Sequence, residues 1–100
     1  SVDTLPLAEK LSRQNQAAGS MQPVLLEVNI AGEITKHGFS PDGLTEQFST
    51  LLSQPGISIQ GLMTLAPASS SHEDLLRYFS AMAELKVQLE QEFNHPLPEL

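Results

Sequence analysis

A parallel α/β architecture is predicted by three features of this 100-residue sequence. Two mostly apolar runs, "PVLLEVNI" and "ISIQGLMTL", have strand composition. Each gives way to a polar loop, and each loop leads into a capped amphipathic helix. The runs begin roughly 33 residues apart, the length of a βα repeat and not of a hairpin. Such repeats build either a (β/α)8 TIM-type barrel or a small open doubly wound sheet, and periodicity alone does not choose between them.

The elements follow in chain order. In "DTLPLAEKLSRQNQAAG", Asp3 or Thr4 can cap a helix, Pro6 suits its first turn, and Leu7, Ala8 and Leu11 form a short apolar stripe ending at Gly19. Residues 24–29 are predicted as a strand buried on both faces. Ser40 then caps a second helix with Pro41 at its first position and Leu44, Phe48, Leu51 and Leu52 on one face, and Pro55-Gly56 stops it. The second apolar run is the next strand, and "APASSSHED" is its polar loop. Ser71 and Asp74 resemble a capping box, after which Leu75, Phe79, Met82, Leu89 and Phe93 recur at helical spacing up to the break at Asn94-Pro96.

Twelve acidic against five basic residues give a formal charge of -7, which argues against nucleic acid and anionic lipid, since either partner requires clustered Lys and Arg. There is no cysteine, hence neither a disulfide framework nor a thiolate metal site, and this fits a reducing cytoplasm. No apolar run is long enough to span a bilayer, so a soluble protein is expected. His37, His72 and His95 are scattered without metal-ligand spacing, and no nucleophile elbow or phosphate-cradling P-loop occurs. The chain opens on "SVD", as though at the end of a strand, and closes on "HPLPEL", where another could begin; both ends look cut.

In either architecture, ligands bind beyond the carboxyl ends of the strands. That directs attention to Ser1–Asp3, to the loop 29–39, and to residues 63–71. Asn29 ends a strand, where an amide either faces a ligand or bonds the local backbone. Lys36 is a cation suited to attracting phosphate, or a solvated charge paired with Glu33. Gly61 marks close packing or a bend. Alternation sets Leu62 and Thr64 on the opposite side from Met63, which is either a ligand wall or a core gap-filler.

Three segments in register carry a resemblance: Ser1-Val2-Asp3; Val28, Asn29, Glu33, Lys36, Gly38 and Phe39; and Gly61-Leu62-Met63-Thr64. In order and spacing they resemble the pyridoxal-phosphate homeostasis proteins of the YggS/PROSC type, whose pattern runs approximately H-S-V-D, V-N-x-x-x-E-x-x-K-x-G-F/L and G-L-M-T/A. The resemblance implies a (β/α)8 barrel like the N-terminal domain of alanine racemase, holding pyridoxal 5'-phosphate. Residues 1–100 would be a single incomplete domain, its middle portion, from the end of the fourth strand to the helix after the sixth.

It also implies a cofactor carrier or buffer without established turnover, and sets Met63 against the flat face of the cofactor. Ser1 would approach the site, although a first residue can equally fray. The family's Schiff-base lysine lies on the first strand and its phosphate-binding segments follow the seventh and eighth. Neither is present here, so covalent attachment to this segment alone is not expected. Lys10, Lys36 and Lys86 are the only lysines, two on predicted helices and one in a loop.

Two other classes stay open. A racemase-like enzyme would use the same cofactor but needs an acid-base pair flanking the ring, and Tyr78, the sole tyrosine, falls within a predicted helix. An acidic protein-interaction module is the other. If the segment is a true fragment, its exposed sheet edges favour association.

Overall fold

The computed structural model describes residues 1–34 and 37–100. Its elements are α1 (Leu5–Ala17), β1 (Gln22–Glu27), α2 (Pro41–Leu52), β2 (Ile57–Met63) and α3 (His72–Phe93). The helix starts are set by local chemistry. Thr4, and not Asp3, caps α1 by accepting from the Leu7 N–H; Ser40 caps α2 through the Gly43 N–H, with Pro41 following. At α3 the capping box forms in both directions, Ser71 Oγ accepting from Asp74 N and the Asp74 carboxylate accepting from Ser71 N. Asn94, in the left-handed region at φ 49°, ends that helix.

β1 and β2 pair in parallel. On the outer side of β1, Val2 donates to Leu25 O and accepts from Glu27 N, both at 2.8 Å. On the outer side of β2, Glu99 donates to Gln60 O at 3.0 Å and accepts from Leu62 N at 3.1 Å. Four parallel segments therefore lie side by side in chain order. α1 packs on α2 and α2 on α3, where the rings of Phe48 and Phe93 meet at 4.9 Å. Strand order that never reverses, with neighbouring helices touching, is the arrangement of a TIM-type barrel over the described residues, and not of a doubly wound sheet.

β1 begins two residues earlier than the apolar run suggests and ends at Glu27; Val28 bridges to Phe39 and Asn29 lies beyond the strand. Pro23 is tolerated inside β1 because its parity, shared with Leu25 and Glu27, turns the missing N–H toward the side where only Val2 pairs. β2 carries one extra residue: Val24 faces Ile59 but Leu25 faces Gly61, leaving Gln60 as a bulge. The bulge shifts the side-chain phase, so Ile57, Ile59 and Leu62 all reach the helix side. There they join Val24, Leu26, Val28, Leu44, Phe48, Leu51, Met82 and Leu89 in the core. A Cβ on Gly61 would overlap the Glu99 carbonyl, so glycine here permits the Glu99 segment to approach; of the two readings, close packing holds.

Two helix faces differ from the sequence pattern. On α1 the buried positions are Ala8 and Ser12, while Leu7 is exposed. On α3 they are Met82, Leu85 and Leu89, while Phe79 is 65% exposed. Ser12 is buried because its hydroxyl accepts the Gly56 N–H at 2.8 Å, which ties α1 to the start of β2. Asn15 adds a bond to the Gly56 carbonyl at 3.0 Å. After α3, Glu90 accepts the Leu97 N–H at 2.8 Å and pairs with Lys86 at 3.2 Å, while His95 Nε2 meets the Ile59 carbonyl at 2.8 Å. These contacts deliver Glu99 to the edge of β2.

Candidate functional site

With the helices on one face of the sheet, the other face carries Leu25 and Glu27 of β1 and Ser58, Gln60 and Met63 of β2, all half-buried. Met63 is the direct cross-strand partner of Glu27. Leu62 is buried on the helix side, as strand alternation predicts. Thr64 turns its hydroxyl onto the Val28 carbonyl at 2.6 Å, clasping the carboxyl ends of the two strands together.

The loop after β1 is pinned at both ends. Phe39 N donates to Glu27 O and Asn29 N to Phe39 O, each at 2.8 Å. Asn29 Nδ2 donates to Glu33 O at 2.6 Å, and Glu33 N donates to Asn29 Oδ1 at 3.2 Å. The local-backbone reading of Asn29 is therefore the observed one, and it is a reciprocal bond that gives the loop its shape. Gly38 completes the turn at φ 116°, where a Cβ would also press on the Asn29 backbone.

Asn29 also lines a cavity of about 200 Å³ with Glu27, Val28, His37 and Leu65. His37 Nδ1 stands 3.8 Å from Asp3 Oδ2, linking the turn before α1 to the loop after β1. Ser1 lies elsewhere, lining a second cavity of about 580 Å³ with Leu25, Gln60 and Glu99. Lys36 lies outside the described residues. The structure thus brings Asn29 and Met63 to the same end of the sheet and sets Ser1 apart.

Glu27, His37 and Thr64 were not singled out as site residues by sequence reasoning. For Glu27 the available signal was a charge in an otherwise apolar strand, one residue before Val28-Asn29. Tyr78 lies on α3, and Lys10 and Lys86 lie on α1 and α3, off the open face. Among the described residues no group of His, Asp or Glu is arranged to hold a metal ion. Among the described residues no helix is long and apolar enough to cross a membrane.

Parallel βα units wound in chain order, with shaped loops at the strand carboxyl ends, define a portion of a TIM-type barrel. The chain belongs to the alanine racemase N-terminal domain family, whose family model matches residues 1–98. It is 38% identical over 100 residues to the pyridoxal phosphate homeostasis protein of Aquifex aeolicus, covering all of this chain and 44% of that protein. Over 92 residues it is 29% identical to the protein of the same name from Vibrio alginolyticus, covering 92% and 40% of the two. The chain spans less than half the length of these relatives.

Among solved structures it resembles PipY of Synechococcus elongatus without PLP, with TM-score 0.86, 27% identity, and 92% and 43% of the two chains covered. PipY with PLP bound gives a TM-score of 0.80, 25% identity, and coverage of 92% and 42%.

Proposed function

We propose that residues 1–100 form the middle of an eight-stranded barrel, roughly strands four to six with their helices, in a protein that holds pyridoxal 5'-phosphate and buffers or hands on the cofactor. The observation that carries this is the placement of Met63: half-buried on the helix-free face, at the carboxyl end of β2, in register with Glu27 and beside the pinned loop. A thioether there offers a soft apolar wall to a flat ring. Met63 lines a cavity of about 190 Å³ with Thr64, Phe79 and Leu100, separate from the one of about 200 Å³ beside Asn29; each is small for a complete ligand site, which fits one wall and not an enclosure.

The half-buried open face offers apolar surface from Leu25 and Met63 to a flat ring. When bound, the cofactor supplies an aldehyde and a conjugated ring. Lys10 lies on α1 and Lys86 on α3, and we assign the attaching amine and the phosphate cradle to other strands, as the family resemblance implies. The names of the Aquifex and Vibrio relatives and the bound PLP of PipY support the same reading. Binding and release require no turnover by these residues. Lys36, one residue before His37 of the cavity, is proposed to attract the phosphate, and Ser1 to border the lower part of the cup.

The test is a titration of the full-length gene product with pyridoxal 5'-phosphate, followed by absorbance. Met63→Asp places a second carboxylate beside Glu27 and removes the apolar wall, and affinity is expected to fall by about tenfold or more. Met63→Leu conserves volume and is expected to stay within about twofold. Unchanged affinity in Met63→Asp contradicts the assignment.

A further inference from the structure

We infer that Thr64 is a positioning residue for the bound cofactor: its hydroxyl locks the carboxyl ends of β1 and β2 at one separation, and so sets the Met63 wall against the Asn29 loop. The inference rests on the cofactor-binding reading above and deepens it by naming what fixes the wall.

At this place the sheet passes from backbone bonds to a side-chain bond. The regular register of β1 and β2 closes with Glu27 opposite Met63. One step further, the Val28 N–H still donates to the Met63 carbonyl at 2.8 Å. A parallel ladder that continued would next give the Val28 carbonyl the backbone N–H of Leu65. Instead the Thr64 hydroxyl donates to that carbonyl at 2.6 Å. Val28 is thereby gripped at both its polar groups by consecutive residues of the neighbouring segment. Leu65 is 66% exposed and lines the cavity with Glu27, Val28 and Asn29.

The residues joined by that bond adjoin the two groups assigned to the ligand. Thr64 follows Met63 directly, and Val28 precedes Asn29. Val28 is itself buried and bridges to Phe39, which anchors it to the core and to the far end of the loop. A shift of Thr64 against Val28 is therefore a shift of Met63 against the Asn29 loop. Threonine suits the task because its β-branch restricts χ1, so the hydroxyl is held toward the carbonyl with little rotamer freedom to lose. Without the hydroxyl, the part-buried carbonyl loses its donor and the strand ends are free to part. A binding wall works only when its supporting bonds hold it in place. The hydroxyl adjusts the site and does not build it, since the family pattern carries either Thr or Ala at this place.

The experiment titrates the full-length gene product with pyridoxal 5'-phosphate and records, at saturation, the circular dichroism that the achiral cofactor acquires in its own absorption band. Melting temperature is measured alongside. In Thr64→Val, which keeps the shape and lacks the hydroxyl, affinity is expected to fall about fivefold and the band to lose amplitude. Thr64→Ala also removes the hydroxyl, with a residue type that the family pattern admits; the same result is expected, and it decides the matter where Thr64→Val fails to fold. Thr64→Ser restores the donor and is expected to stay within about twofold of wild type on both readouts. Wild-type affinity and band in the hydroxyl-free variants, even with a lowered melting temperature, reduce the bond to a structural one and overturn the inference while leaving cofactor binding standing. Equal losses in Thr64→Ser and Thr64→Val overturn it too, since the hydroxyl is then not what acts. A wild-type protein that binds no cofactor overturns the parent reading, and this one with it.

Discussion

Replacing Ser12 with Ala isolates a single buried hydrogen bond. Ser12 is 1% exposed and its hydroxyl receives the Gly56 N–H at 2.8 Å, where α1 meets the entry of β2. The substitution removes one oxygen and almost no volume, so the cavity contribution is small. What remains is a buried backbone donor without its acceptor, which costs about 1–3 kcal/mol. With a urea m-value of about 2 kcal/mol/M, the unfolding midpoint should fall by roughly 1 M. Asn15→Ala deletes the partly buried bond to the Gly56 carbonyl and should cost about 0.5–1.5 kcal/mol.

Because Ser12 and Asn15 hold the same residue, the double variant should lose less than the two single losses added together. Gly56 and Met63 lie at opposite ends of β2, roughly 20 Å apart at the usual strand rise, so cofactor affinity should not change. Equilibrium urea unfolding of the full-length gene product, followed by circular dichroism, measures the effect. A Ser12→Ala midpoint within about 0.2 M of wild type would refute the reasoning, since the Gly56 donor would then have another acceptor.

Gly61→Ala sets a methyl against the Glu99 carbonyl; overpacking of this kind costs about 1–3 kcal/mol, and faster hydrogen exchange at Leu62 and Glu99 should accompany it. Gly38→Val should disorder the loop rather than the core, because φ 116° is closed to a β-branched residue; calorimetry should show weakened cofactor affinity with a smaller change in melting temperature. The Glu90 carboxylate is held below the usual carboxylate range by the Leu97 N–H and, after an opposing desolvation effect, by Lys86. A lowered folded-state pKa means the stabilisation is fully present above the unfolded-state value and is lost as pH falls through the folded-state one. The midpoint gap between wild type and Glu90→Gln should therefore narrow below about pH 4.

What could be read from the sequence was what depends on neighbours along the chain. Ser40-Pro41 and Ser71…Asp74 are helix starts whose chemistry is complete within four residues, and both form as expected. The βα order was equally visible, because a parallel crossover imposes its length on the chain. The bulge at Gln60 was not, since it exists only in the pairing of β2 with β1. Ser12 looked like a polar surface position until Gly56 came against it, and Phe79 looked like core because periodicity reports an apolar residue without saying whether anything covers it.

The same division holds at the site. That Asn29 and Met63 come to the same end of the sheet was legible through motif and alternation. Whether the Asn29 amide faces a ligand or its own loop depended on Glu33 folding back to meet it. Glu27 escaped notice because a charged residue in an apolar run carries no sign of which face it takes until the register is known.

Hydrogen exchange of the full-length gene product, with and without saturating pyridoxal 5'-phosphate, locates the ligand without any substitution. Slowed exchange at residues 27–34 and 61–65, with Gly56 and the amides of α1 unchanged, is the expected result. No protection at those strand ends, or protection confined to the outer face of α3, would contradict a cofactor seated against Met63.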